Sequence, residues 1–322
     1  MIKPPALKPN DLIALIAPAD RPREPSEVQQ AKAWLEREGY RVRVGEHVFA
    51  RHGYLAGTDA ERLADFHAAW ADDDVRAILC ARGKWGASRL LSMIDFDLIA
   101  AHPKIFVGCG DITSLLVAIQ QRTGLVTFHG PTAARLGSSD ETRASLVRAI
   151  TTSEPVVVPS PKSQVPGQKA DAAHGTWDNS TVTFRSGQTT GQLLGGSLSA
   201  LISLLGTPFA FEPRGALLFL EEADQRFSQF DRDLTTLRLA DITPTIVGLV
   251  IGECVGAAAK DTPQTLSLEE IFAEQIERIS APACYGLPIG QGRVQHTLPI
   301  GVMARMDADA GTLELLESAT VT

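Results

Sequence analysis

The chain has 322 residues, 44% of them hydrophobic and 21% charged, and a formal net charge of -8. This is ordinary globular composition, long enough for two domains of roughly 150 residues each. The acidic balance and the lack of a Lys/Arg cluster exclude a nucleic-acid partner. With no run of about 18 apolar residues and no leader pattern, the expectation is a soluble cytoplasmic protein without a membrane span.

In chain order, "DLIALIAPAD" (11–20) predicts a buried strand ended by Pro18. "SEVQQAKAWLEREG" predicts a helix, with Ser26 and Gln29 at capping-box spacing and Gly39 as its stop. "YRVRVG" is a second strand. "TDAERLADFHAAWAD" is a second helix with Thr58 and Glu61 as its box. "VRAILCARG" and "IFVGCG" are further strands and "TSLLVAIQQ" a further helix. Strands alternating with helices over about 120 residues imply an α/β domain with a parallel sheet, assigned to residues 1–158. Residues 159–190 are polar and rich in Ser, Thr, Gly and Pro, with one short strand-like piece, "TVTF". They read as a linker or crossover. Residues 191–322 form the second domain. It contains a helix at "GGSLSALISLLG", a strand at "GALLFLEEAD", a helix at "DRDLTTLRLAD", a strand at "IVGLVIGEC", a helix at "LSLEEIFAEQIERI", and strands and turns to the end.

Cys80, Cys109, Cys254 and Cys284 form no CxxC pair and no Cys/His metal spacing. Each lies in or beside an apolar run, which predicts buried, reduced thiols and no metal.

Ligands of open α/β sheets bind beyond the carboxyl ends of strands. Three such ends carry polar residues: "ARGKWGASRLL", "GCGDIT" and "LEEAD". "GCGDIT" fails as a dinucleotide fingerprint because Thr113 stands where a third glycine belongs. "GKWGAS" fails as a phosphate loop, so no nucleotide cofactor is expected. The strand–turn–helix at "VGCGDITSLL" instead suits a nucleophile elbow, with Gly110 at the apex and the N–H of Asp111 facing a developing oxyanion.

Several long segments in order then resemble one family, the LD-carboxypeptidases, which also includes microcin-immunity peptidases. "LKPNDLIALIAPAD" is similar to its opening LxxGDxIxxxAPSS. "ARGKWG" is similar to its RGGYG loop, and "GCGDIT" to its G-(aromatic)-S-D-x-T elbow. "GQLLGGSLSALISLLGTPF" resembles GxLxGGNLxxLxxLxGTPF, "FLEEAD" the FLED segment, and "GLPIGQGRVQHTLPIG" the GH…TLPIG segment. The resemblance implies an N-terminal α/β domain and a C-terminal domain built around a small β-barrel with helices. It implies a site between them and a homodimer. It also implies serine-type hydrolysis that releases terminal D-alanine from murein tetrapeptides, by a Ser-His-Glu triad and without a cofactor.

Carried across residue by residue, the acid falls on Glu221, the nucleophile on Gly110 and the base on Gln291. The oxyanion donors fall on Lys84, where the family has glycine, and on Asp111. Glycine supplies no attacking oxygen, and glutamine cannot take a proton near neutral pH. These substitutions make the standard reaction doubtful. They raise the alternative of a non-catalytic relative that binds a peptide or muropeptide or acts as a regulatory partner. A third reading is hydrolysis by a water held on Glu221.

Fallback groups are Cys109, which reads more simply as a core thiol, Ser114 as a helix serine, and His296 as a strand or surface histidine. His129 reads as structural, and Glu222 and Asp224 as solvated acids at a strand end. Arg82, Lys84, Trp85 and Arg232 are candidates to line a pocket for a carboxylate-bearing peptide.

Overall fold

The computed structural model describes residues 1–152, 154–155, 157–158, 181–256 and 266–322. Most of the segment read as a linker, 159–180, lies outside the described residues. The rest of it includes two strand segments, described below.

The first part of the chain alternates strands and helices. The strands are β1 (Leu12–Ile16), β2 (Arg41–Val44), β3 (Val75–Cys80), β4 (Ile105–Gly108) and β5 (Thr127–His129). The helices are α1 (Pro25–Arg37), α2 (Asp59–Ala71), α3 (Phe96–Ala101), α4 (Thr113–Thr123) and α5 (Asp140–Thr151). β1, β3 and β4 are buried at nearly every position, as strands covered on both faces must be. The Thr58–Glu61 box closes the start of α2. The Ser26–Gln29 box does not form. Pro25 has no N–H to give and a φ suited to the first turn, so α1 begins there and Glu24 becomes the N-cap.

The second part supplies β6 (Val157–Val158), β7 (Val182–Arg185), β8 (Gln188–Ser197), β9 (Ala216–Ala223), β10 (Gly248–Val255) and β11 (Ala283–Leu287). It continues with β12 (Leu298–Ile300), β13 (Met303–Asp307) and β14 (Thr312–Leu315). Its helices are α6 (Leu198–Leu204), α7 (Phe227–Leu239) and α8 (Leu268–Glu277). Thus 182–185 and 188–190 belong to strands rather than to loop.

The first sheet has the order β12-β5-β4-β3-β1-β2. β1 to β5 are parallel, and β12 returns from late in the chain to pair antiparallel with β5. The order reverses between β1 and β3, so a crevice opens at their carboxyl ends. The second sheet is curled and runs β6-β14-β13-β8-β9-β10-β11-β7, with parallel pairing from β8 through β11. Phe227, Phe230, Leu234 and Phe272, from α7 and α8, pack on it with Leu220 and Ile251 in one apolar cluster. All four cysteines are free and buried. Among the described residues no helix is long and apolar enough to cross a membrane.

Two glycines bring the sheets together. Gly195 and Gly196 lie at φ +146° and +143° near the end of β8. A Cβ on Gly196 would sit 2.4 Å from the Thr113 methyl. Without it, Ser197 N–H reaches Thr113 Oγ1 at 3.0 Å. Since Ser197 is in register with Glu221, this contact sets the end of β9 against the start of α4.

Candidate active-site cleft

A cleft of about 930 Å³ opens where the carboxyl ends of β1, β3, β4 and β9 meet. Arg82, Lys84, Trp85, Cys109, Gly110, Asp111 and Gln291 all line it.

At the end of β4 the backbone is extended through Cys109 and then turns at Gly110, with φ +63°. Glycine holds this left-handed geometry without the penalty a Cβ brings. Three segments far apart in sequence converge there. Gln291 Nε2 lies 3.8 Å from where a Cβ on Gly110 would be, and the same nitrogen donates to Glu221 Oε2 at 3.3 Å. Glu221 is 1% exposed. Burial pushes its carboxyl up to about 8, the charge of Glu222 adds to that, and the Gln291 amide opposes it. On the far side of Glu221, His129 Nε2 stands 3.9 Å from Oε1, too far for a hydrogen bond. Burial pushes His129 down to about 4, so the ring is neutral at physiological pH. Neighbouring Glu222 reaches the cleft wall and accepts from Ser199 N–H at 2.7 Å and from the Ser197 hydroxyl at 3.3 Å.

The loop after β3 is laced to the elbow and to the end of β1. Asp111 N–H donates to the Gly83 carbonyl at 2.7 Å, and Lys84 N–H donates to Asp20 Oδ1 at 2.7 Å. Both N–H groups named as oxyanion donors are therefore engaged. Ala87 N–H donates to Asp111 Oδ2 at 2.7 Å, which closes the far side of the loop. The Gly83 carbonyl points at the apex, and a Cβ on Gly110 would lie 2.2 Å from its oxygen.

Arg82 is turned inward. Its Nε donates to Asp20 Oδ2 at 2.8 Å and its Nη1 to both oxygens of Glu27 at 3.1 Å. At the mouth, Lys84 Nζ crosses to Asp224 Oδ2 at 3.0 Å and lies 5.0 Å from the Trp85 ring centre. Trp85 is 55% exposed and meets Tyr54 edge-on. Arg232 is not among the lining residues. Its side chain is 70% exposed and hydrogen-bonds to Gln229 on the same helix, so α7 carries it away from the pocket.

The fallback groups are placed as follows. The Ser114 hydroxyl donates to the Asp111 carbonyl at 2.7 Å, one turn back along the helix. Cys109 is 3% exposed, and burial pushes its thiol up to about 11. His296 packs on α5, with Nδ1 3.2 Å from the Ser145 hydroxyl and Nε2 3.4 Å from Glu141.

Asp20, Glu27 and Arg135 also shape the cleft and were not singled out from the sequence. Asp20 had a legible signal, since it follows a buried strand at its carboxyl end. Arg135 had none, because it lies in a short turn after β5 with no motif around it. Among the described residues no cluster of His, Cys, Asp and Glu could hold a metal ion.

Comparison with known proteins agrees with this architecture. The family model described as the LD-carboxypeptidase N-terminal domain matches residues 13–130, and the model for the C-terminal domain matches residues 190–306. The chain is 38% identical over 305 residues to a probable murein peptide carboxypeptidase of Bacillus subtilis, covering 95% of this chain and 91% of that one. It is 31% identical over 308 residues to the murein tetrapeptide carboxypeptidase of Pseudomonas aeruginosa, covering 92% and 93%. The crystal structure of an MccF-like protein from Bacillus anthracis superposes with a TM-score of 0.86 at 27% identity, covering 98% of this chain and all of that one.

Proposed function

The chain belongs to the LD-carboxypeptidase family, and we propose that it uses the family's cleft to bind a muropeptide-like peptide without cleaving it by the serine mechanism. One observation carries this reading. Gly110, Gln291 and Glu221 meet at one point, where the family resemblance expects serine, histidine and glutamate. That point offers no attacking hydroxyl and no basic nitrogen. The nearest substitutes do not supply them. Ser114 is bonded to a backbone carbonyl, Cys109 is a buried and protonated thiol, and His129 is neutral and enclosed. An amide at 291 can hold the Glu221 carboxyl in place but cannot relay a proton.

The ligand class follows from the relatives, which are named as murein peptide carboxypeptidases. The cleft suits such a ligand in size and in its mixed polar lining. A second reading has one feature in its favour. Glu221 is a carboxyl raised toward neutrality, and such a group can act as a general acid or base on a water.

The two readings separate in one experiment. The purified protein is titrated with a murein tetrapeptide ending in D-alanine, and free D-alanine is assayed in the same mixture. The binding reading expects a saturable isotherm and no D-alanine above a heat-treated control. Release of D-alanine, or no binding at all, overturns it.

A further inference from the structure

The cations of the cleft are not all balanced alike. Arg82 is neutralised by Asp20 and Glu27 and Lys84 by Asp224, while the exposed Arg89 grips both oxygens of Asp59, a carboxylate it shares with the buried Arg62. Arg23 stands exposed in water. Arg135 is half-buried in the cleft wall and forms no ion pair among the described residues. Its Nε donates to Gln295 Oε1 at 3.2 Å and its Nη2 to the Gly292 carbonyl, both neutral acceptors.

A guanidinium has five N–H groups. Two are used among the described residues, leaving both on Nη1 and one on Nη2. The nearby acids do not answer the charge. Glu221 and Glu253 feel Arg135, but burial pushes both toward their protonated forms, and Glu253 Oε2 has no hydrogen-bond partner among the described residues.

The side chain is also held still. The turn that carries it is pinned to the end of β3 by Ala134 N–H on the Ala81 carbonyl at 3.1 Å. From the opposite side the 292–295 loop fixes the guanidinium, next to Gln291. A fixed, half-desolvated guanidinium with a free edge matches a carboxylate, which it can grip with two parallel charge-assisted hydrogen bonds.

We propose that Arg135 is the carboxylate receptor of this cleft, taking the terminal carboxylate of a bound peptide beside the Gly110–Gln291 apex. The proposal rests on the peptide-binding reading and adds the group that is recognised. It moves this role from Arg82, whose charge is already matched by the carboxylates of Asp20 and Glu27, and from Arg232, which lies outside the pocket.

Arg135 also ties two loops together, so the test must separate recognition from scaffolding. Wild type and Arg135→Gln are each titrated with a murein tetrapeptide ending in D-alanine, as the free acid and as the C-terminal carboxamide. Wild type is expected to bind the acid at least tenfold more tightly than the amide. The variant is expected to lose that preference at least fivefold while keeping its affinity for the amide. A wild-type preference below tenfold overturns the proposal and leaves the binding reading standing. A variant that weakens acid and amide alike, with the preference intact, makes Arg135 a scaffold and overturns it too. If wild type binds neither peptide, both the proposal and the reading beneath it fail. Should Arg135→Gln not fold, Arg135→Lys is read instead. It keeps the charge without the planar fork, and full retention of the acid preference overturns the proposal.

Discussion

Asp20 accepts the backbone N–H of Lys84 at 2.7 Å on one carboxylate oxygen while its other oxygen accepts from Arg82. This carboxylate fixes the loop whose Gly83 carbonyl faces the apex and takes the Asp111 N–H. By the family resemblance, the opening motif expects serine at the position of Asp20 and the loop expects glycine at that of Lys84. Restoring only Gly110→Ser and Gln291→His therefore leaves the new side chain colliding with the Gly83 oxygen, 2.2 Å from its Cβ. The expected outcome is D-alanine release from murein tetrapeptide barely above the parent for that double variant. Adding Asp20→Ser and Lys84→Gly is expected to raise it at least tenfold, as donors become available for the oxyanion. Equal rates in the two variants would show that the loop is no barrier.

The buried acid and the buried histidine predict opposite pH slopes. Glu221 holds its proton up to about 8 in the folded chain but only to about 4.5 when unfolded. The folded state thus binds more protons across that window, and stability falls as pH rises through it. His129 is pushed down from 6.5 to about 4, so its contribution is lost as pH falls across that range. Above pH 6.5 His129 no longer titrates, so the fall set by the buried carboxyl is no longer opposed by it. The melting temperature is expected to drop by about 2–4 °C per kcal/mol lost between pH 6.5 and 8.5. Glu221→Gln should flatten more than half of that fall. Glu222 and Glu253, also raised by burial, keep a residual slope of the same sign. An unchanged slope in Glu221→Gln would falsify the assignment.

The alternation of strands and helices was legible because apolar period and caps act locally. The box at Thr58 formed where nothing competed with it, and the one at Ser26 gave way to Pro25. The apex was legible only through the resemblance, since Gly110, Glu221 and Gln291 are up to 181 positions apart and no periodicity links them. Asp20 and Arg135 matter because the topology puts the end of β5 next to the elbow strand and the end of β1 next to β3, whose loop reaches the elbow, which no local pattern encodes. Arg232 shows the reverse. Its residue type suited a carboxylate, but the turn of α7 leaves it in solvent.

The thiols should be silent in the native protein. Burial holds Cys109 at about 11 and Cys284 at about 12, and raises Cys80 and Cys254 well above the ordinary thiol range. At pH 8 a disulfide reagent should titrate less than one thiol per chain within minutes, and all four after denaturation. A rapid native equivalent that disappears in Cys109→Ala would make that residue a reactive group and reopen the question of a nucleophile beside the apex.

Two ion pairs across the cleft region should differ sharply in what they hold. Lys84–Asp224 joins side chains that are 33% and 67% exposed. Water and salt screen such a pair, so Lys84→Ala should cost under about 1 kcal/mol, its contact with Trp85 included. Asp20–Arg82 joins side chains that are 9% and 15% exposed, and Asp20 also satisfies the Lys84 N–H. Asp20→Ala leaves a largely buried guanidinium with Glu27 alone and strands a backbone donor. That change should cost about 3 kcal/mol. Urea unfolding of the two variants at an unchanged m-value measures this, with the Asp20→Ala loss expected to be at least twice that of Lys84→Ala. Similar midpoints for both would mean that the inner pair is hydrated, and that the loop facing the apex is held by something other than Asp20.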